Sequence, residues 1–253
     1  MDFGLGIGIL LVLTVLSFVG GTIVSTIGPG GILIVTGLYL LTPFSSAEVA
    51  GTSSATFAVG AILGSLIYAR SGEIDWTVAG SVSAAAAVGT WAGVQANAYL
   101  SRELYGLILA AMLAAVGCNI VYREYRDLEP RIELGHEGRD LAAFVVIGLV
   151  IGVFGGLLGI GGAALSAPAL VLVGVPMLVT IAVTQVVVLF TALFTTANYL
   201  LLDAVVTPLV FLITAAYLGG VTLGWWLAHR IAAERLKFAL GVVLIGLAAS
   251  LLV

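Results

Sequence analysis

Charge is scarce in this sequence. Lys, Arg, Asp and Glu together make up 9% of the 253 residues, while hydrophobic residues make up 61%. A soluble domain has about 25% charged and about 45–50% apolar residues. The mean hydropathy of +1.23 also lies far outside the range of such a domain. The composition therefore predicts an all-α polytopic membrane protein, and continuous rather than alternating apolar runs exclude a transmembrane β-barrel.

Residues that carry enzyme chemistry are equally scarce. Cys118 is the only cysteine, and His136 and His229 are the only histidines, so neither a disulfide framework nor a thiolate metal site can form. The sequence has no Ser/His/Asp set, no carboxylate pair in a plausible cleft and no H-x3-H spacing. The net charge is −4, without a basic stripe. We expect no enzyme activity, no metal, no cofactor and no nucleic-acid partner.

Two glycine clusters interrupt the apolar runs. They read Gly28-Pro29-Gly30-Gly31 and Gly159-Ile160-Gly161-Gly162, and they lie 131 residues apart. Glycine costs a helix interior about 1 kcal/mol relative to alanine, and proline costs about 3 kcal/mol. A broken helix in lipid frees backbone groups that must face protein, a cavity or a solute. Matched breaks in two halves of a membrane protein are typical of a transport site. The alternative role for glycine in membrane helices is close packing.

The order of apolar runs predicts two similar halves. Residues 1–121 form a first transmembrane repeat, residues 122–140 a polar linker, and residues 141–253 a second repeat. Ser45 and Glu48 have capping-box spacing ahead of a long helix. The predicted apolar helices or runs are 3–20, 22–41, 47–69, 76–98, 102–121, 141–154, 155–174, 178–202, 205–228 and 236–252.

Constant spacing indicates an internal repeat. The Ala50–Ser53 segment matches Ala182–Gln185 at 132 residues, and Gly89-x3-Gly93 matches Gly220-x3-Gly224 at 131. Five membrane segments per half place eight Lys and Arg residues on one side and one on the other, whereas four segments give five to four. Because cytoplasmic loops are enriched in Lys and Arg, we expect five segments per half, an inverted repeat, a cytoplasmic linker and external termini.

The breaks suggest how an anion could bind without a cationic side chain. No Lys or Arg lies in the middle of a predicted span, but helix N-termini offer free N–H groups and a positive dipole end. Polar residues follow each break at matched positions. Hydroxyls in membrane helices often only bond to their own chain or to a neighbouring helix. The predicted substrate-binding residues are Gly28, Pro29, Gly30, Gly31, Thr52, Ser53, Gly159, Gly161, Gly162, Thr184 and Gln185.

These motifs resemble the sulfite exporter TauE/SafE family, whose break reads roughly G-x-G-G-G with a proline some residues on. Gly159-x-Gly161-Gly162 with Pro168 fits this pattern, although Ala163 replaces a usual glycine. Pro29 stands inside the first cluster, and Gln185 replaces a serine of the second A-x-T-S segment. The resemblance covers essentially the whole chain. It implies a multi-pass permease of the prokaryotic cell membrane that exports sulfite or a sulfur-containing organic anion.

Two other functions remain open at this point. A passive anion channel would share the same architecture but conduct without saturation. A membrane assembly subunit would bind a partner protein and no solute. The expected partners are a small anion and the lipid bilayer, and a homodimer is possible.

Overall fold

The described part of the chain is helical throughout. The computed structural model describes residues 5–126, 138–230 and 234–251. The predicted all-α fold is confirmed. The helices are α1 (Ile7–Thr26), α2 (Ile32–Leu41), α3 (Ser46–Ser71), α4 (Trp76–Asn97), α5 (Arg102–Arg126), α6 (Gly138–Leu158), α7 (Ala163–Leu172), α8 (Met177–Leu201), α9 (Thr207–Ala228) and α10 (Glu234–Ser250).

Seven of these helices are long and apolar enough to cross a membrane, namely α1, α3, α4, α5, α6, α8 and α9. By contrast, α2 and α7 have ten residues each. A ten-residue helix spans about 15 Å, which is half of the roughly 30 Å hydrocarbon core. These two helices therefore cannot cross alone. The predicted linker, residues 122–140, lies largely outside the described residues.

Each short helix contacts the helix before it. Gly30, just before α2, lies against Gly20, and Gly37 of α2 lies against Leu13 and Leu16, so α2 runs antiparallel to α1. The start of α7 contacts α6 as well, with Gly162 against Ile151. We call α1–α2 the first hairpin and α6–α7 the second hairpin. The turn of the first hairpin, residues 27–31, is the first tip, and residues 159–162 form the second tip.

The predicted ends of the first and sixth helices were wrong. The run 3–20 was expected to end before Gly21, but α1 continues to Thr26. The run 141–154 was expected to end before Gly155, but α6 continues to Leu158. The paired glycines stay helical because their bare surface receives a neighbouring backbone. A Cβ on Gly21 would lie 2.4 Å from the carbonyl oxygen of Tyr217.

Two helices of each half pack against helices of the other half, in the same arrangement. The α1 helix packs on α9, and α4 packs on α6. Glycine forms both contacts. Gly89 and Gly93 of α4 lie against α6, and Gly220 and Gly224 of α9 lie against α1. Under the 131-residue spacing α1 corresponds to α6 and α4 to α9, so the two interfaces are equivalent. The internal repeat stays a prediction, and this equivalence supports it.

The direction of equivalent helices bears on whether the repeat is inverted. The α3 helix packs on α8, its counterpart, with Gly51 against Tyr199 and Gly64 against Gln185. From Gly51 to Gly64 the residue number rises along α3, while the residue it contacts on α8 falls from 199 to 185. The two helices are therefore antiparallel. The α5–α10 pair is antiparallel as well. Antiparallel counterparts are what an inverted repeat requires.

Arg102 holds the turn between α2 and α3. Its guanidinium donates to the carbonyl oxygens of Phe44, of Tyr39 at 2.6 Å and of Thr42 at 2.8 Å. It also lies 4.8 Å from the centroid of the Tyr39 ring. The last carbonyls of a helix have no partner inside it, and here Arg102 supplies one. Arg102 is the one Lys or Arg residue that the predicted topology places on the external side. Its bonds to the turn give it a structural role there.

Replacing Arg102 by glutamine should lower the thermal midpoint of the purified protein. Hydrogen bonds to charged groups contribute about 1.5–3 kcal/mol each when buried. Because Arg102 is half-buried, we expect a net loss of about 2 kcal/mol after solvent screening. For a chain of this size that corresponds to a fall of about 4–8 °C. Arg70→Gln, at the exposed end of α3, is the matched control. An unchanged midpoint in Arg102→Gln would contradict the assigned role.

Candidate transport site

The first tip packs against α7 inside the bundle. A Cβ on Gly28, where φ is +106°, would lie 2.4 Å from the Cβ of Ala167 on α7. The first tip therefore touches the helix that follows the second tip. Both tips are buried. The predicted site between the two glycine clusters stays a prediction, and the packing of the first tip on α7 supports it.

Positive φ angles make glycine necessary at the second tip. Gly159, Gly161 and Gly162 have φ of +70°, +62° and +77°. A residue with a Cβ rarely adopts this conformation. Gly162 is the N-cap of α7, so the tip turns the chain sharply and points the N-terminus of α7 into the bundle. Helix N-termini favour anions.

The carbonyl groups around the second tip bond to side chains from four helices. The end of α6 would otherwise leave carbonyls without partners. The donors come from α3, α4, α5 and α8, so the second tip is fixed from several sides. The bonds run from Tyr199 to Gly156 at 3.0 Å, from Asn97 to Leu157 at 2.7 Å, from Tyr105 to Leu158 at 2.8 Å, from Ser53 to Gly159 at 2.8 Å and from Thr191 to Gly161 at 2.6 Å.

Among the described residues, fewer side chains bond to the chain at the first tip, and the two contacts of Gln185 are long. Tyr68 donates to the carbonyl oxygen of Ser25 at 2.7 Å, just before the tip. The Gln185 amide nitrogen lies 3.5 Å from both the Val24 carbonyl and the Ser25 hydroxyl. Bonds of this length are at the limit of the accepted geometry. The first tip is therefore the less constrained of the two.

The four polar residues predicted for the site do not all face one point. Ser53 bonds to the second tip and Gln185 faces the first hairpin. Thr52 accepts a hydrogen bond from the Val206 backbone at 3.1 Å, at the turn between α8 and α9. Thr184 is fully buried, and its hydroxyl has no hydrogen-bond partner among the described residues. A buried hydroxyl without a partner is costly, so Thr184 is the one that a solute could complete.

Phe57 lies between the two tips. A Cβ on Gly31 would be 3.2 Å from the Phe57 ring, and one on Gly161 would be 3.5 Å from its Cβ. The ring is 1% exposed and packs 5.5 Å from the ring of Tyr217. The space that a substrate would need between the tips is thus closed by an aromatic side chain. The sequence reasoning missed Phe57 because an apolar residue gives no signal in an apolar span.

The tyrosines Tyr68 and Tyr199 were missed as well, although a signal existed. They are 131 residues apart, and so are their acceptors Ser25 and Gly156. Each tyrosine joins the end of a long helix to the carbonyl just before a tip. The repeat spacing alone would have identified this pair.

A groove on the bundle lies away from the predicted site residues. It measures about 320 Å³ and opens between α5, α6 and α7. Its lining is mainly aliphatic, with Pro168 of α7 at its floor and Asn119 of α5 as a polar side chain. None of the predicted site residues lines it. We therefore do not assign the substrate to this groove.

Seven membrane-length helices and two short helices behind buried glycine turns define this chain as a multi-pass membrane protein of the transporter class. Comparison with known families agrees. The family model described as "Sulfite exporter TauE/SafE" matches residues 4–251, so the chain belongs to the sulfite exporter TauE/SafE family of membrane transporters. The predicted resemblance is confirmed.

One similar curated protein is sulfite exporter TauE/SafE family protein 6 of Arabidopsis thaliana. It is 31% identical over 113 residues, which cover 45% of this chain and 26% of the relative. The chain thus matches about a quarter of that relative's length. No solved structure gives a significant match.

Proposed function

We propose that this chain exports a small anion, sulfite or a sulfur-containing organic anion, by alternating access around the two tips. The contact between Gly28 of the first tip and Ala167 behind the second tip carries this proposal. It supports a site formed by the first tip and the helix that begins at the second tip, one element from each half. Short α2 and α7 helices put that site near the middle of the bilayer. The prokaryotic location stays a prediction.

The chemistry around the tips favours an anion over a cation. The N-terminus of α7 points its N–H groups and positive dipole end toward the tips. The acid Glu48 caps the start of α3 through the predicted capping box. Its carboxylate bonds to the backbone nitrogen of Ser45 at 2.8 Å. Glu48 is therefore committed to the end of a helix.

The closed tips describe one state of an alternating-access cycle. Phe57 fills the space between Gly31 and Gly161, so neither end of the bundle opens to it. Transport requires the tips to separate. Because fewer described side chains bond to the first tip than to the second, we assign the larger movement to the first hairpin.

Thr184→Val should weaken anion binding while stabilising the empty protein. Valine removes the unpaired hydroxyl, which costs about 1–3 kcal/mol when buried alone. A hydrogen bond from that hydroxyl to a bound anion would contribute about 1.5–3 kcal/mol, so affinity should fall roughly ten- to hundredfold. Calorimetry with sulfite and thermal unfolding of the same samples measure both effects.

Ser83→Ala is the matched control. Ser83 on α4 is also buried with an unpaired hydroxyl, and its neighbour Val82 packs on Gly148, ten residues before the end of α6. This variant should gain stability and keep its affinity. Equal affinity in Thr184→Val and wild type would remove Thr184 from the site.

A flux assay separates the three functions. Purified protein in proteoliposomes is tested with sulfite, thiosulfate, sulfate and short sulfonates. Saturable flux of a sulfur oxyanion supports the transporter. Single-channel conductance would identify a channel, and binding of none of these anions would favour an assembly subunit.

A further inference from the structure

A second polar cluster lies at the end of the bundle where α3 and α9 finish. His229 is the C-cap of α9, and Glu73 follows the end of α3. His229 Nε2 lies 2.7 Å from Glu73 Oε1, with the two side chains 31% and 18% exposed. The other carboxylate oxygen of Glu73 accepts from the Ser71 hydroxyl at 2.7 Å. The pair ties two helix ends together across the bundle.

Both ring nitrogens of His229 face an oxygen that can only accept. Nε2 faces the Glu73 carboxylate, and Nδ1 lies 2.8 Å from the carbonyl oxygen of Trp225. Neutral imidazole has one N–H, whereas the imidazolium has two. Only the protonated ring can donate to both oxygens. The geometry is therefore built for the charged form of His229.

Tyr68 connects this pair to the first tip. Its ring stacks on the His229 ring at a centroid distance of 6.2 Å, and its hydroxyl donates to the Ser25 carbonyl. The end of α9 is joined to the same place, because Thr26 donates to the Gly224 carbonyl at 3.2 Å. The His229–Glu73 pair is thus joined to the last turn of α1 both through Tyr68 and through α9.

We propose that the His229–Glu73 pair is a pH-operated latch that holds the first tip closed while His229 is protonated and releases it when the imidazole loses its proton. This rests on the proposed function, since the first tip is one wall of the transport site. In the predicted topology the latch lies at the cytoplasmic end, together with Arg70 and Arg230.

The bond to the Trp225 carbonyl raises the pKa of His229 above its ordinary value of 6.5, partial burial lowers it, and Glu73 raises it further. A raised pKa stabilises the closed arrangement below about pH 6.5, and that stabilisation is lost as pH rises through the folded-state value. The switch therefore closes in acid and opens toward alkaline pH.

The other charged or titratable groups near the latch are few within the described side chains. Tyr68 and Arg70 lie on α3, Asp75 caps the start of α4, and Arg230 follows α9. The Arg230 guanidinium lies 4.3 Å from the Trp226 ring centroid. The α1 helix has no charged residue. Glu73 is thus the group whose charge acts on His229 through a direct contact.

The test compares two proteins at equal pH, so the reagent's own pH dependence cancels. Ile27, 3% exposed at the first tip, is replaced by cysteine with and without His229→Gln, and maleimide labelling is followed by mass spectrometry. At pH 5.5 the His229→Gln protein should label several-fold faster, and at pH 8.5 the two should label equally. Equal rates at both pH values would overturn the latch.

Two further measurements make the result independent of Ile27→Cys. Hydrogen exchange over residues 23–28 in otherwise wild-type protein should show the same His229→Gln difference, confined to acid pH. Glu73→Gln should shift the midpoint of this difference to lower pH, while His136→Gln should not move it. These assays report opening of the tip rather than flux, so the latch can fail while the transport proposal stands.

Discussion

Replacing Gly93 by alanine should abolish accumulation of folded protein, whereas Gly80→Ala on the same helix should leave it unchanged. A Cβ on Gly93 would lie 2.1 Å from the Val153 carbonyl oxygen and 2.7 Å from the Leu157 nitrogen. Both are backbone atoms of α6 and cannot turn away. Nothing lies within 4 Å of a Cβ on Gly80. Folded yield by size-exclusion chromatography and thermal unfolding measure the difference.

The expected size follows from how tightly α4 and α6 approach. Inserting a methyl group into a well-packed core costs about 1–3 kcal/mol and sometimes more. Gly89, one turn earlier on α4, faces the Leu149 carbonyl oxygen of α6 just as closely. A Cβ on Gly93 must therefore push the two helices apart along their length. The loss should approach the total stability of a typical domain, about 5–15 kcal/mol. A folded Gly93→Ala protein with wild-type stability would contradict the assigned packing.

The equivalent change in the other half tests the repeat. Gly224 corresponds to Gly93, and its Cβ would lie 2.2 Å from the Thr22 carbonyl oxygen. Gly224→Ala should therefore fail to fold as well.

Helix order and tip position could be predicted because they depend on local properties. The Ser45–Glu48 capping box is present as expected, with both of its reciprocal bonds. The clusters at 28–31 and 159–162 end helices because several glycines, and Pro29 in the first, act together. Each of these signals lies within a few residues of its effect.

The ends of α1 and α6 could not be predicted in the same way. Gly155 and Gly156 resemble a break in sequence, yet both are helical. A Cβ on Gly156 would lie 2.4 Å from the Thr90 carbonyl oxygen of α4. Close helix packing offsets the low helix propensity of glycine. That compensation comes from a helix about 65 residues away in sequence and leaves no local trace.

The direction in which each polar side chain points could not be predicted from the sequence either. Thr52 and Ser53 are adjacent, so they point about 100° apart around α3. Ser53 reaches the second tip while Thr52 reaches Val206. Which of them could face a solute depends on the packing of α6, α8 and α9 around α3. Sequence spacing identified the region of the site but not its lining.

Phe57→Ala should turn the closed transporter into a leaky one. The Phe57 ring contacts Gly31 of the first tip and Gly161 of the second, and it is 1% exposed. Burial of such a side chain contributes about 1.5–3 kcal/mol to the state that holds it. Its removal should shift the balance between closed and open tips by roughly ten- to hundredfold. Proteoliposomes loaded with labelled sulfite should then lose it down its own concentration gradient, with no ion gradient applied.

Phe144→Ala separates the leak from simple destabilisation. Phe144 is also 1% exposed but belongs to the apolar cluster of α4, α6 and α8, fourteen residues before the end of α6. Both variants create a cavity, which costs about 3–5 kcal/mol, so both should unfold at lower temperature. Only Phe57→Ala should leak. If both variants hold sulfite as wild type does, the ring is a packing element and the barrier to the anion lies elsewhere along α3.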